Sequence, residues 1–266
     1  NLSDQIHSNK IVIQITDTHL MEHPEQEFIQ INPEQNFHAV INDLLQQYPK
    51  IDAIVHTGDL AQVASPATYQ RYVNYMEKLG IPFFQIPGNH DDLRCFPLHN
   101  PHPEPTVIEL GQWAMILLNS AVAGKTDGWI QMEQLQSLQT LLHKYQDKKI
   151  ILACHHHPFE MKSHWIDQHK LKNTVEFTDI LKQFNHIKAV ICGHVHQDSI
   201  TLWNNIQFIS TPATCIQFKP LSHNFALDHI APGYRCLHLK ADGQLETMVH
   251  RLENYSITIN EEISGY

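Results

Sequence analysis

Short apolar runs recur along the chain, and each one ends in polar residues. They are rich in Ile, Val or Leu: IVIQIT before Asp17, IDAIVHTG before Asp59, IPFFQIPG before Asn89, WAMILLNS, KIILAC before His155 and KAVICG before His194. Runs that are apolar on both faces are typical of strands in a sheet that is covered on both sides. The pattern therefore predicts buried strands rather than a one-sided antiparallel sheet.

Helical patterns separate these strands, in NPEQNFHAVINDLLQQY, SPATYQRYVNYMEKLG, QMEQLQSLQTLLHKY and EFTDILKQF. In the second, Ser65 can cap the helix, Pro66 suits its first position, and Gly80 ends it before Pro82. The alternation of strands and helices predicts a layered α/β fold.

Beyond residue 197 the alternation weakens. The chain there predicts one hairpin around Asn204-Asn205 and another around Asp242-Gly243. Between them, CIQFKPLSHNFALDHIAPG has two Pro and no clear period, so a long ordered loop is expected there, and residues 211–233 are expected to form a substrate-pocket loop. Long loops in compact domains are often functional.

Composition sets the class of protein. With 266 residues, 42% hydrophobic and 17% charged, the chain is expected to form one domain over residues 1–266, with a polar extension at residues 1–10. That opening lacks the apolar core of a signal peptide, and no apolar run has the length of a membrane span. Five Cys without a CxxC pair favour a reducing compartment. We therefore expect a cytoplasmic protein with no membrane partner.

Charge and histidine content narrow the function. A net charge of −10 provides no basic field for long nucleic acid, whereas bound cations could cancel part of that charge and admit a small anionic substrate. Histidine, with 21 residues, outnumbers the 18 Lys and Arg together. Any one His is more often a surface or capping residue than a metal ligand, so position must decide.

Polar motifs follow the predicted strands. They are DTH at 17–19, GDL at 58–60, GNHD at 88–91, HHHP at 155–158 and GHVH at 193–196. Functional sites in open α/β sheets lie outside the carboxyl ends of the strands, so these motifs are expected to lie together at that edge of the sheet. One such motif alone is commonly a capped turn. Five in order indicate a metal site.

The residue types suggest which metals would bind. In DTH and GHVH the paired side chains are separated by one intervening residue, so an extended backbone would point both to the same side. Oxygen and imidazole ligands without thiolate suit Mn, Fe, Zn or Co. Two cations about 3.5–4 Å apart need a bridging anion, for which Asp59 could serve. Cys154 and Cys192 are interpreted as small core residues.

The ordered motifs, spanning residues 17–196, resemble those of the calcineurin-like metallophosphoesterase superfamily. A narrower similarity, to the bacterial class III 3′,5′-cyclic AMP phosphodiesterases, covers nearly the whole chain and is carried by QITDTHL, TGDLAQ, PGNHD, HHHP, WIDQHKL, CGHVHQ, TPATCIQFKP, NFALDHIAPGYR and the ending SGY. The resemblance implies a four-layer α/β/β/α sandwich of two mixed sheets flanked by helices. It also implies two divalent or trivalent metal ions between the strand ends, Fe or Mn, with Zn or Co as alternatives.

The resemblance implies a role for each ligand: Asp17, His19 and His196 for the first metal, Asn89, His155 and His194 for the second, and Asp59 as the bridge. In HHHP, the similarity favours His155 as the ligand, with His156 second and His157 structural.

Hydrolysis of cyclic AMP to 5′-AMP is the implied reaction, with a metal-bound hydroxide as the nucleophile. His90 matches the family's catalytic imidazole and would donate a proton or a hydrogen bond to the departing 3′ oxygen. The substrate is expected at His19, Asp59, Asn89, His90, His155 and His196. Asp91 either orients His90 or caps the following turn, and capping is favoured.

The ligands themselves do not define the nucleoside, because this superfamily uses them on many phosphoesters. Nucleoside contacts are expected from the loop, at Cys215, Gln217, Phe218, Lys219 and Asn224. For Phe218, packing in the core is the favoured alternative. His164, Trp165 and His169 form either a lid or a surface turn.

Two other functions remain open. One is a different phosphoesterase on the same centre, acting on monoesters, 2′,3′-cyclic nucleotides or lipid-linked diphosphates. The other is a non-catalytic scaffold, which predicts missing ligands or a lost His90, and none is missing in this sequence. The sequence makes no prediction of the oligomeric state.

Overall fold

Two large sheets form the centre of the computed structural model, which describes residues 8–255 and Gly265. In spatial order, the first sheet contains β13 (Leu245–Arg251), β12 (Gly233–Leu239), β1 (Lys10–Ile15), β2 (Ala53–His56) and β3 (Phe83–Gln85). The second contains β4 (Thr106–Leu110), β5 (Trp113–Leu117), β6 (Lys149–Ala153), β7 (Ile187–Cys192), β9 (Ile206–Ser210) and β8 (Ser199–Trp203).

Parallel and antiparallel pairs occur in both sheets, so both are mixed. Strands β1, β2 and β3 run parallel, as do β5, β6, β7 and β9. Strand β12 pairs antiparallel with β1, and β13 pairs antiparallel with β12. At the two edges of the second sheet, β4 pairs antiparallel with β5 and β8 with β9. The parallel strands bring their carboxyl ends to a common edge of each sheet.

Helices cover the outer faces. The helices are α1 (Pro33–Gln47), α2 (Pro66–Glu77), α3 (Met132–Lys144), α4 (His164–Asp167) and α5 (Thr174–Leu181). Alternate residues of β1 face opposite layers, since Ile13 packs with Phe37 and Tyr72 of α1 and α2, whereas Val12 packs between the sheets. The second sheet packs its other face on α3 and α5. The expected four-layer α/β/β/α sandwich is therefore confirmed.

Turn chemistry agrees with the sequence at several points. Ser65 accepts a hydrogen bond from the Thr68 amide and caps α2. Asn204 and Asn205 both take positive φ, 51° and 60°, in the tight turn between β8 and β9. Gly243, at φ 90°, turns the chain between β12 and β13. These left-handed positions favour Asn and Gly, which is why the hairpins are visible in the sequence.

The chain after the second sheet differs in detail from the prediction. Within residues 211–233 the loop carries a small two-stranded sheet of β10 (Gln217–Phe218) and β11 (Leu227–Asp228). Of the expected N-terminal extension, residues 1–7 lie outside the described residues and Lys10 already begins β1. Among the helices described, none is long and apolar enough to cross a membrane.

Candidate metal centre

The candidate ligands come from strand ends of both sheets and meet in one place. Asp17 and His19 follow β1, Asp59 follows β2, Asn89 follows β3, His155 follows β6, and His194 and His196 follow β7. All are buried except Asn89, which is partly exposed. The strand ends therefore bring the candidate ligands to one place in the fold, as predicted from their positions in the sequence.

An unusual backbone brings these side chains together. The residues Asp17, His19, Asp59, His194 and His196 have φ of 56°, 47°, 55°, 72° and 51°. This left-handed region costs non-glycine residues roughly 1 kcal/mol or more each, and such residues cluster at functional sites. The extended backbone assumed for DTH and GHVH is therefore wrong. Their side chains converge because the chain turns sharply at each ligand.

Two glycines allow the strand ends to approach closely. A Cβ at Gly88 would collide with the carboxylate and amide of Asp59, and a Cβ at Gly193 would collide with the hydroxyl of Thr16 and, at 2.6 Å, with Asp17 Oδ2. A larger residue at either position would push the ligand loops apart.

Three of the ligands form a first cluster around Asp17. Its Oδ1 lies 3.1 Å from His196 Nε2 and 3.6 Å from His19 Nε2. Its Oδ2 is occupied, since it accepts hydrogen bonds from Thr16 Oγ1 at 2.6 Å and from the His194 amide at 3.0 Å. The carboxylate is thus held so that Oδ1 faces the two imidazoles.

Hydrogen bonds behind the imidazoles fix their orientation. Nδ1 of His19 lies 2.9 Å from Gln62 Oε1, and Nδ1 of His196 lies 2.8 Å from the Ile216 carbonyl. Both acceptors require a proton on Nδ1, which leaves the Nε2 lone pair facing the centre. Outer partners of this kind are usual for metal-binding histidines.

A second cluster forms around His155. Its Nε2 lies 3.2 Å from Asn89 Oδ1 and 3.3 Å from Asp59 Oδ2, while its Nδ1 donates to the Thr57 carbonyl at 2.7 Å. His194 is turned the other way: its Nε2 donates to the His169 carbonyl at 2.9 Å, so Nδ1 is its available donor atom.

In the part of the chain that the structure describes, two buried donor atoms of the centre are unpaired, which is a sign of a metal site. Asp59 Oδ2 and His194 Nδ1 have no hydrogen-bond partner among the described residues. Asp59 Oδ1 accepts from the His90 amide at 2.8 Å, whereas Oδ2 lies between the clusters, 3.8 Å from His19 Nε2. An unpaired buried oxygen is costly unless a cation binds it. Metal bonds of about 2.0–2.2 Å place neighbouring ligand atoms about 3 Å apart, so the residues fit two metal ions.

The three consecutive histidines point in different directions. His156 Nδ1 lies 2.7 Å from Ser120 Oγ, and its Nε2 donates to the Thr126 carbonyl at 3.0 Å. His157 Nε2 lies 3.0 Å from Asp167 Oδ1. The structure thus turns His155 towards the other donors and His156 and His157 towards neighbouring loops.

Burial and neighbouring charges shift the pKa values of the donor side chains in both directions. Burial alone would raise the pKa of Asp17, but the charges of His196 and His155 hold it well below its usual range. Burial lowers the pKa of His194 well below its usual value and that of His90 to about 4. His155 and His19 are the exceptions: burial lowers the pKa of both, but Asp59 and Asp17 raise that of His155 to about 9 and also raise that of His19. Metals bind ionised carboxylates and neutral imidazoles, so metal binding would release a proton from any of these rings that carries one.

His90 stands at the mouth of the centre. It is partly exposed, and its ring centroid lies 5.1 Å from that of His19, edge to face.

The next residue, Asp91, uses both carboxylate oxygens to connect two turns. It accepts hydrogen bonds from the amides of Gly88, Leu60 and Ala61 and from the hydroxyl of Tyr69. Its carboxylate thus joins the GDL and GNHD turns, whereas in the following turn the Arg94 amide donates to Asp92. The expected cap of the following turn by Asp91 is therefore replaced by a different structural role.

A cleft of about 580 Å³ opens beside the centre. Its lining is Asn89, His90, Thr126, Trp165, Ile166, His169, His194, Asn224, Phe225 and Gly265. Of the loop residues expected to contact the nucleoside, Asn224 alone is in this lining. Cys215, Gln217 and Phe218 are buried, and Phe218 stacks on His196 with centroids 3.9 Å apart, so these three pack in the interior. Lys219 is exposed and lies outside the cleft lining. Of the three residues expected to form a lid or a surface turn, Trp165 and His169 belong to the lining and His164 does not.

Several supporting residues were not predicted. His56 is buried, and burial lowers its pKa to about 3. Its ring accepts a hydrogen bond from the Gly58 amide and lies 3.0 Å from Thr18 Oγ1. His56 therefore joins the DTH and GDL turns. Gln62 orients His19. Gln62 ends the string TGDLAQ, which could have identified it, but His56 lies within an apolar run and gives no such signal.

The chain matches the family model described as calcineurin-like phosphoesterase over residues 11–198. The chain therefore belongs to the calcineurin-like phosphoesterase family. It is 38% identical over 269 residues to a protein of Vibrio vulnificus named 3′,5′-cyclic adenosine monophosphate phosphodiesterase CpdA, covering 99% of this chain and 98% of that one. A protein of the same name from Haemophilus influenzae is 36% identical, over 96% and 94% of the two chains.

A solved structure shares the fold. A dimetal phosphatase from Danio rerio superposes with a TM-score of 0.61 at 12% identity, covering 91% of this chain and 98% of that chain. At this identity the similarity concerns the fold alone.

Proposed function

We propose that this protein hydrolyses 3′,5′-cyclic AMP to 5′-AMP with two metal ions. The observation that carries the proposal is the convergence of two donor clusters, one around Asp17 and one around His155, with Asp59 Oδ2, unpaired within the described chain, between them and a cleft of about 580 Å³ beside them. The named activity of relatives that are 36% and 38% identical over nearly the whole chain supports the choice of substrate. A small cyclic nucleotide is thus the proposed partner.

Each donor has a proposed role. The first metal would be held by Asp17, His19 and His196, the second by Asn89, His155 and His194, and both by Asp59. Bound metal ions would activate water as the nucleophile and offset the charge on the phosphoryl oxygens. The donor set, oxygen and imidazole without thiolate, supports Fe or Mn, with Zn or Co as alternatives.

His90 is the proposed catalytic residue. As water attacks phosphorus, the bond from phosphorus to the 3′ oxygen breaks, and that oxygen needs a proton or a hydrogen bond. Burial lowers the pKa of His90 to about 4, so its imidazole is neutral near pH 7 and presents an N–H donor. The charge that develops on the departing oxygen would be stabilised by this donor.

We also propose one domain over residues 1–266 in the cytoplasm. The family match ends at residue 198, but β8 and β9 continue the second sheet and β12 and β13 continue the first. All five cysteines are free, which suits a reducing compartment.

Comparative turnover tests the proposed function. Metal-loaded protein is assayed on cyclic AMP, cyclic GMP, 2′,3′-cyclic AMP and p-nitrophenyl phosphate, with metal content measured on the same sample. We expect cyclic AMP to have the highest kcat/KM. Negligible hydrolysis of cyclic AMP by protein with two metals bound would overturn the proposal, and turnover of another ester would then identify the alternative phosphoesterase.

A further inference from the structure

The cleft lies on the side of the centre where the nucleoside must be. Its lining includes His90 together with Asn89 and His194, the proposed ligands of the second metal. The departing 3′ oxygen belongs to the ribose, so if His90 serves that oxygen, the ribose and base extend from the phosphate past His90. A volume of about 580 Å³ is within the usual range for sites that bind small molecules.

One wall of the cleft is aromatic. The rings of Trp165 and Phe225 meet at 72° with centroids 5.0 Å apart, and both are partly exposed. Phe218 packs behind them, with its centroid 4.9 Å from that of Trp165 and 5.6 Å from that of Phe225. Because Phe218 is itself stacked on His196, the wall rests on the metal centre. Aromatic rings of this kind stack on nucleobases.

Hydrogen bonds hold this wall in place before any ligand binds. The Trp165 amide donates to the His223 carbonyl at 3.0 Å, which joins the two loops that form the wall. Asp167 accepts from the Met161 amide at 2.9 Å and pairs with His157, two residues after the proposed ligand His155. The His169 carbonyl accepts from His194. A preorganised wall reduces the entropy cost of binding.

Asn224 gives the cleft an exposed amide. The neighbouring polar pair, Thr126 Oγ1 and His169 Nδ1, is engaged internally at 2.7 Å. An Asn amide can accept from the adenine 6-amino group and donate to adenine N7. Guanine keeps the N7 acceptor but presents a carbonyl oxygen in place of that amino group, so the hydrogen bond to the Asn carbonyl is lost and two acceptors face each other.

We propose that this cleft binds the purine base, with Trp165 and Phe225 stacking on it and Asn224 selecting adenine over guanine. The inference rests on the proposed function, because it assumes a cyclic nucleotide at the metal centre. Specificity would then come from the loops around residues 165 and 224, while the buried residues of β10 support the wall from behind.

The test compares substrates with and without a base. Metal-loaded wild type, Trp165→Leu and Asn224→Ala are assayed on cyclic AMP, cyclic GMP and methyl p-nitrophenyl phosphate, a diester without a nucleoside. For Trp165→Leu we expect kcat/KM on cyclic AMP to fall about tenfold or more, chiefly through KM. For Asn224→Ala we expect the preference for cyclic AMP over cyclic GMP to shrink about tenfold. Turnover of the simple diester should stay within about twofold, since the metal centre is untouched.

Matched controls are available on the same chain. Asn74→Ala, on α2, and Trp129→Leu, at a Trp that is 42% exposed and outside the cleft lining, should leave both activities unchanged. Calorimetric titration with adenosine provides a readout without turnover, and both cleft variants should bind it more weakly than the wild type.

The outcomes separate the inference from the proposed function. Unchanged kcat/KM on cyclic AMP in both cleft variants would overturn the inference and leave the proposed function standing. An equal loss on the simple diester would also overturn it, since the residues would then support the metal centre instead. If the metal-loaded wild type cleaves the simple diester but not cyclic AMP, the proposed function itself fails.

Discussion

The Oδ2 atom of Asp59 lies 3.3 Å from Nε2 of His155. The same oxygen lies 3.8 Å from Nε2 of His19, which belongs to the other cluster of donors. Because Oδ1 of Asp59 is occupied by the His90 amide, Oδ2 is the atom of this carboxylate that is directed between the two clusters. One oxygen atom therefore lies between the two donor clusters, which supports the proposed role of Asp59 in holding both metal ions.

Replacement of Asp59 should remove both metals together. For Asp59→Ala we expect metal content, measured by mass spectrometry of the purified protein, to fall from about two per chain to well below one. The reason is that each metal loses a charged ligand at once. Asp179→Ala, at a carboxylate that is 61% exposed, is the matched control and should keep the full content. A variant at position 59 that still holds two metals per chain would show that this carboxylate does not bridge them.

Neighbouring histidines should behave differently when replaced. His155→Ala removes a proposed ligand, so we expect metal content to drop by about one per chain, with loss of turnover. His156→Ala removes hydrogen bonds to Ser120 and Thr126 and leaves a buried cavity, so the free energy of unfolding should fall by about 1–3 kcal/mol. Metal analysis and urea denaturation of both variants distinguish the roles. If His156→Ala loses a metal and His155→Ala does not, the assignment within HHHP is reversed.

The fold was largely predictable because its strands have a clear sequence pattern. IVIQIT and KIILAC are apolar on both faces, and the structure uses both faces, one on helices and one between the sheets. The hairpin at Asn204 and Asn205 was predictable for another reason, since few residues tolerate positive φ in succession. In contrast, the four-residue helix α4 offers no period to detect.

That the strand-end side chains meet in one place was predictable, but the geometry of their meeting was not. Strand-end position identified Asp17 and His194, yet nothing in the sequence indicates that both take positive φ. Much of the outer support comes from backbone carbonyls, such as those of Thr57 and Ile216, which carry no residue-specific signal. For Phe218 the favoured interpretation, packing in the core, is confirmed, since its ring is fully buried against His196. Nothing in the sequence indicates that His196 is its packing partner.

The turn that carries Asn89 and His90 should depend on Tyr69. Its hydroxyl donates to Asp91 Oδ1 at 2.8 Å and accepts from the Asp92 amide at 3.0 Å, so Tyr69→Phe leaves a buried carboxylate with one donor fewer. We expect the free energy of unfolding to fall by about 2 kcal/mol, measured by urea denaturation. Tyr145→Phe, beyond the end of α3, is the control. An unfolding free energy equal to that of the wild type would mean that Tyr69 contributes no net stability through this contact.

His90 should matter for turnover far more than for metal binding. Its ring lines the cleft and its backbone amide donates to Asp59, so His90→Ala keeps the amide that fixes the proposed bridge. We expect kcat on cyclic AMP to fall about 10²–10⁴-fold, the usual range for loss of a proton donor, with metal content near that of the wild type. The loss should be smaller on an ester whose leaving group is p-nitrophenolate, because that anion departs without help. His23→Ala, at an exposed position, controls for the substitution itself. If metal content collapses in His90→Ala, or both esters lose equally, the imidazole acts as a ligand or a support rather than on the departing oxygen.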